Sequence, residues 1–160
     1  MTSSLRQWFG LAVFVAICFA VAGVGSLLTT PSLSGWYAAL QKPPWNPPNW
    51  VFGPVWSALY LGMAIAGWLV WRERGWRAAA VPLALFALQL ALNVTWSGLF
   101  FALHLPWVAF AEIVLLWCAI LATMVSFGRV KPAAGWLLVP YLAWVAFAAV
   151  LNLTLARMNA

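Results

Sequence analysis

The chain has 160 residues, 66% of them hydrophobic and only 6% charged, with eight Lys or Arg against two Asp or Glu. Its mean hydropathy is +0.97, and soluble domains carry about a quarter charged residues, so water is excluded as the main solvent. The net charge of +6 reads as topology signals at helix ends rather than as a surface for nucleic acid, which is not an expected partner.

A spanning helix needs about 20 mostly apolar residues, and the sequence supplies five such stretches, at about 8–28, 51–72, 78–103, 106–127 and 133–156. The expected fold is all-α, an integral membrane bundle of five transmembrane helices in a single domain spanning 1–160, with a Trp- and Pro-rich loop over 29–50. The breaks between stretches are Pro31 to Pro48, Arg72 to Arg77, His104-Leu105-Pro106 and Gly128 to Pro132.

The first stretch imitates a cleavable signal peptide, with Arg6, an apolar run from Trp8 and Ala20-Val21-Ala22. It stays apolar through Leu28, beyond the usual apolar core of about 7–15 residues, which favours a retained helix. Arg6, Arg72, Arg74, Arg77, Arg129 and Lys131 fall on one side of the expected topology, and Lys42 and Arg157 on the other. Positive-inside sorting then puts the N-terminus in the cytoplasm and the first loop outside.

That loop holds four prolines between Pro43 and Pro48. Each removes a backbone donor and fixes φ, so the segment is expected to be semi-rigid and non-helical, with a short turn over Ala38 to Gln41 before it. Carrying Trp36, Tyr37, Trp45 and Trp50, it is suited to cover the mouth of a bundle or to lie on the interface.

Polar side chains within spans are expected to face the bundle. Trp56, Tyr60, Met63 and Gly67 lie at helical spacing on one face of the second span, while Ala58, Gly62 and Ala66 form a small-residue stripe for helix contact. In the third span Gln89, Asn93, Trp96 with Ser97, and Phe100 share a face. In the fifth, Pro140, Trp144, Phe147 with Ala148, and Leu151 with Asn152 do the same. Each residue alone reads as interhelical packing; together the indole, phenol and amide groups suit a flat amphipathic ligand.

Glu112 is the one acid within a span, and two readings stay open: an interfacial carboxylate reaching headgroup water or a neighbouring helix, and a proton relay. His104, alone at a turn, reads as an interfacial residue rather than a metal ligand. Cys18 and Cys118 lie in different spans and read as apolar fillers. Thirteen Trp exceed what anchoring helix ends requires.

The run Trp36-Tyr37 through Lys42-Pro43 and Trp45-Asn46-Pro47-Pro48 resembles the translocator protein family, also called tryptophan-rich sensory proteins or peripheral benzodiazepine receptors. The match continues through Trp56 to Tyr60, Gln89 to Asn93, Trp96, Phe100-Phe101, Glu112 to Trp117, Pro140 to Trp144 and Leu151-Asn152. The resemblance implies a homodimeric five-helix bundle whose first loop closes a pocket for porphyrin or haem as ligand and for benzodiazepine-site ligands, with membrane lipid or sterol as a further partner. No cofactor is required and no metal site is expected.

Carried over residue by residue, the ligand-binding candidates are Trp36, Trp45, Trp56, Tyr60, Asn93, Trp96, Trp144, Phe147 and Ala148. The sterol motif of some members needs a Tyr near the C-terminus, and Ala149 to Arg157 contains no aromatic, which argues against tight sterol binding. The implied setting is a bacterial inner membrane.

A sensor or receptor that binds tetrapyrroles is the leading reading. A porphyrin or sterol transporter is the alternative, although five spans do not divide into two equal repeats. An enzyme would lack a Ser-His-Asp set, paired carboxylates and a metal cluster. The resemblance allows one exception, light-driven porphyrin degradation with Trp56 and Trp144 as electron donors.

Overall fold

A computed structural model describes residues 3–160. The chain is all-helical: α1 (Ser3–Leu33), α2 (Trp36–Ala39), α3 (Asn49–Ala78), α4 (Ala80–Ser97) running into a π-helical turn (Gly98–Ala102), α5 (Pro106–Val130), α6 (Pro132–Trp136) and α7 (Val139–Met158). Five helical segments are long and apolar enough to cross a membrane, α1, α3, α4 with its π turn, α5, and α6 with α7. Lipid offers the backbone no hydrogen bonds, so each span satisfies its own.

The helices depart from the expected boundaries where side-chain chemistry overrides hydropathy. α1 continues through Thr29, Thr30 and Pro31 to Leu33, because a proline in the last turn removes only one bond of the ladder. The loop is therefore shorter than 29–50. α3 runs on through Arg72 and Arg74, whose long side chains carry charge outward, and breaks at Gly75, where φ is 71°. Glycine takes that backbone conformation without steric cost. The fifth span divides into α6 and α7 at Leu137 and Leu138, just ahead of Pro140. Without an N–H, Pro140 cannot extend the helix that precedes it and sits instead in a first turn.

α5 is the central helix, packed on α4, α6 and α7. Ile113, Leu116 and Ile120 meet Met63, Ala66 and Val70 of α3 and Val145 of α7 in one core. Lipid is as apolar as these side chains, so close packing rather than exclusion from water holds the helices together. Gly62 and Ala66 of the small-residue stripe serve this internal packing: Ala66 is fully buried, and a Cβ on Gly62 would lie 3.5 Å from the Leu137 carbonyl.

α1 is the outer wall. Only 11% of its most apolar window is buried, against 33–39% in the other spans. It is pinned to α3 near its N-terminus, where Gly10 lies under the Trp71 ring and Gly67 lies under Phe14, so closely that a Cβ on Gly67 would come 2.8 Å from Phe14. Trp68 Nε1 donates to the Gln7 carbonyl at 3.0 Å, and the Arg72 guanidinium sits 4.6 Å above the Trp68 ring. At the other end α1 touches α4, with Gly25 near Ser97 and Leu28 near Gly98.

Candidate ligand site

The helical faces read from the sequence converge below the first loop. On the second and third spans Tyr60, Met63, Gly67, Gln89, Asn93, Ser97 and Phe100 are all buried. On the fifth, Pro140 is exposed and its neighbour Tyr141 takes the inward position.

These residues meet at a hydrogen-bonded chain. The Tyr60 hydroxyl donates to Asn93 Oδ1 at 2.6 Å, and Asn93 Nδ2 donates to the Tyr141 hydroxyl at 3.0 Å. A carboxamide has two donors and two acceptor lone pairs, so Asn93 holds both phenols and retains capacity for a third group. Beneath it, Gln89 Nε2 contacts Met63 Sδ at 3.8 Å.

Above this chain lies a cavity of about 510 Å³, within the roughly 300–1,000 Å³ typical of small-molecule sites. Trp56, Tyr60, Asn93, Trp96, Trp144 and Ala148 line it. The indoles are held in place. Trp96 Nε1 donates to Asn152 Oδ1 at 3.0 Å, and Asn152 Nδ2 donates to the Pro106 carbonyl at 2.8 Å. Trp56 lies 5.7 Å from Tyr60 and 6.2 Å, edge-on, from Tyr141; Trp144 meets Phe52 at 6.1 Å. Such centroid separations are those of favourable aromatic pairs.

The π-helical turn shapes the upper wall. Leu103 N–H reaches back to the Gly98 carbonyl at 2.9 Å, five residues away, and consecutive Phe100 and Phe101 both pack against Tyr37 of the loop. They pack at 4.9 Å, and Trp96 stacks on Phe100 at 5.6 Å.

The lid is α2 with the proline segment after it. Tyr37 is buried and lines the cavity; its hydroxyl donates to Asn46 Oδ1 at 3.0 Å. Burial pushes the Tyr37 phenol above its usual range, with the Asn46 bond pulling partly back. Lys42 Nζ lies 4.8 Å over the Tyr37 ring and donates to the Ala38 and Leu40 carbonyls. Gln41 and Asn159 pair reciprocally through backbone and carboxamide at 2.8 and 3.0 Å, clamping the lid to the end of α7.

Three expected residues lie apart from the main cavity. Trp36 stacks on His104 at 4.3 Å, and Ser32 Oγ lies 3.2 Å from His104 Nε2, tying lid, α1 and the third loop together. Trp45 packs edge-on against Phe147 at 6.0 Å and is 44% exposed. Phe147 lines a neighbouring void of about 30 Å³ that shares Tyr37, Trp96 and Trp144 with the main cavity.

The wall that the helical faces did not reveal is α1. Phe19, Ala22, Gly23, Gly25, Ser26, Thr29, Thr30 and Leu33 all line the cavity. A usable signal was present, since the second half of an otherwise bulky apolar helix turns to Gly, Ser and Thr. Glu112 lies on the inward face of α5 with Ala109, Ile113 and Leu116, 8% exposed, and among the described residues neither carboxylate oxygen has a partner. Its phase on the helix points it into the bundle. No three His, Cys, Asp or Glu side chains gather among the described residues, so the site's polar chemistry is amide and hydroxyl.

The sequence profile of the TspO/MBR family matches residues 14–158. The tryptophan-rich protein TspO of Chlorobaculum tepidum is 44% identical, with 96% of this chain and 98% of that protein aligned. The translocator protein of Ovis aries is also 44% identical over 87% of this chain and 86% of its own length. The tryptophan-rich sensory protein of Cereibacter sphaeroides is 39% identical over 96% and 93%. Five apolar spans, a Trp-lined cavity under a proline-rich lid and these similarities together make the chain a multi-pass membrane protein of the TspO/MBR family, with a receptor or transporter type of role.

Proposed function

We propose that the protein is a membrane receptor or sensor whose ligand is a tetrapyrrole, porphyrin or haem, held in the cavity beneath the lid. The carrying observation is the pairing of aromatic walls with one polar point: Trp56, Trp96 and Trp144 border about 510 Å³ in which Tyr60 and Asn93 offer hydroxyl and amide groups. A flat conjugated ring gains most by stacking and edge contacts with indoles, and a few fixed polar groups set its orientation. The tetrapyrrole rests its faces on Trp56 and Trp144, and Asn93 orients its polar edge.

The test is a titration of protoporphyrin into the purified protein, followed by tryptophan fluorescence, for wild type, Trp56→Phe and Trp144→Phe. Wild type shows saturable quenching, and each variant binds about 5- to 30-fold more weakly, as the loss of about 1–2 kcal/mol of aromatic contact requires. Equal quenching in all three, matched by empty detergent micelles, would sink the assignment.

A further inference from the structure

The end of the bundle opposite the lid carries most of the charge. Lys131 lies 3.1 Å from Glu73, which puts the α5–α6 junction beside the end of α3, and α1 meets α3 there through Gln7 and Trp68. Arg6, Arg72, Arg74, Arg77, Arg129 and Lys131 therefore share one end, with Glu73 as its single acid. Lys131 takes that acid, so among the described residues the five arginines have no ion-pair partner.

Two of the five differ from the rest in being held on indoles. The Arg72 guanidinium sits 4.6 Å over the Trp68 ring, and the Arg6 guanidinium lies 6.0 Å from the centre of the Trp71 ring. Both indoles are fixed in the α1–α3 seam. Trp68 Nε1 donates to the Gln7 carbonyl at 3.0 Å, and Trp71 covers Gly10 with Phe14 at 6.5 Å and Trp76 at 5.8 Å. A ring face attracts the charge of a guanidinium, but its five N–H donors still need oxygen acceptors. Trp71 adds another unmet donor, since it is 8% exposed and its Nε1 has no acceptor among the described residues. Arg6 also stands in the opening turn of α1, which holds no acid, so the free N–H groups of that turn add to the positive potential.

The surroundings define the acceptor. Arg6 and Arg72 are exposed at the end of their spans, and beside Arg6 the large apolar side chains of Leu5, Trp8 and Phe9 are 58%, 67% and 65% exposed. Such side chains at a helix end face the lipid and its interface. The fitting partner presents an oxyanion and hydrocarbon together, as a phospholipid does. Guanidinium forks match phosphate oxygens in pairs. A zwitterionic lipid brings its own ammonium into this positive field and gains less from it than an anionic one.

The geometry points to a headgroup site for an anionic phospholipid at the α1–α3 seam, with Arg6 and Arg72 donating to the phosphate and the acyl chains lying along Leu5, Trp8 and Phe9. The site is separate from the cavity and independent of what the cavity binds. By joining Arg6 of α1 to Arg72 of α3, the lipid fastens the span with the least buried surface.

The test is native mass spectrometry of the full chain in dodecyl maltoside micelles, titrated with dioleoylphosphatidylglycerol or dioleoylphosphatidylcholine. Wild type is expected to hold one phosphatidylglycerol about tenfold more tightly than phosphatidylcholine, and Arg6→Gln/Arg72→Gln to bring the two lipids within about twofold. Arg74→Gln/Arg77→Gln removes the same charge from the same end and is expected to keep the preference within about threefold of wild type. Arg6→Lys/Arg72→Lys keeps both charges while losing the planar fork, and is expected to weaken phosphatidylglycerol about threefold. Melts in lipid-free micelles are expected to match wild type for all three variants, which separates binding from folding. Equal loss of preference in the two glutamine variants would reduce the site to a diffuse basic surface and overturn it. Equal binding of the two lipids by wild type, or displacement of bound phosphatidylglycerol by millimolar inorganic phosphate, would overturn it as well.

Discussion

The two ends of the α1–α3 pair use glycine in opposite ways. At Gly10 and Gly67 the missing side chain is occupied by a neighbour, the rings of Trp71 and Phe14. At Gly23 and Gly53 the missing side chain is left as space beside a cavity. The same helix thus packs tightly against α3 at one end and walls a cavity at the other. In a membrane, where apolar surface costs nothing to expose, only such packing detail decides whether two helices touch.

The largest effect expected from this contrast is at the closed end. Gly67→Leu drives a side chain into Phe14 and Phe86 and should cost about 3 kcal/mol, at the upper end of overpacking penalties. Gly23→Leu, at the open end, should be neutral or raise stability by up to about 1 kcal/mol, since leucine is the better helix former. Thermal unfolding in detergent compares the two, and equal destabilisation would erase the contrast.

Asn93→Leu should come next. It strips partners from the buried hydroxyls of Tyr60 and Tyr141, and one such orphaned group costs about 1–3 kcal/mol. The same melts measure it, and protoporphyrin affinity should fall together with stability. An unchanged melt would mean that the polar chain beneath the cavity does not hold the helices.

The lid gives a smaller effect. Asn159→Ala removes both bonds to Gln41, worth about 1 kcal/mol each at most in this exposed setting. Hydrogen exchange should speed up in residues 36–48 while α3 and α5 stay unchanged. The lid should also loosen in alkali. Because burial raises the Tyr37 phenol, the neutral form stabilises the fold. That contribution is complete below the unfolded pKa of about 10 and is lost as pH rises through the higher folded value. Lid exchange that stays flat from neutrality to well above pH ~10 would contradict the role given to Tyr37.

The smallest effect belongs to the ion pair of the basic end. Lys131 and Glu73 lie 3.1 Å apart with side chains 33% and 48% exposed, and Glu73→Gln should cost no more than about 0.5 kcal/mol. A larger loss would mean that charge, rather than the glycine contacts, closes that end.

The sequence was legible where side-chain period and membrane chemistry coincide. Trp56, Tyr60, Asn93 and Trp96 repeat at helical spacing within apolar spans, and polar groups in lipid turn inward, so their convergence follows from one-dimensional information. Tyr141 was obscured by Pro140, which restarts the helix and displaces the face by one residue. Phe101 lies in a π turn at Gly98–Ala102, a change of helical pitch that spacing does not reveal. The α1 wall carries no aromatic stripe and works by absence, through Gly, Ser and Thr. Small residues in a membrane helix signal close packing or open space with equal force, and only the neighbour on α3 decides which.

The most direct measurement is a structure of the full chain with protoporphyrin bound. The account predicts a macrocycle below Tyr37, against Trp56 and Trp144, with its polar edge at Asn93. A macrocycle lying on the outer lipid-facing surface, or above the proline-rich segment with the cavity empty, would contradict it.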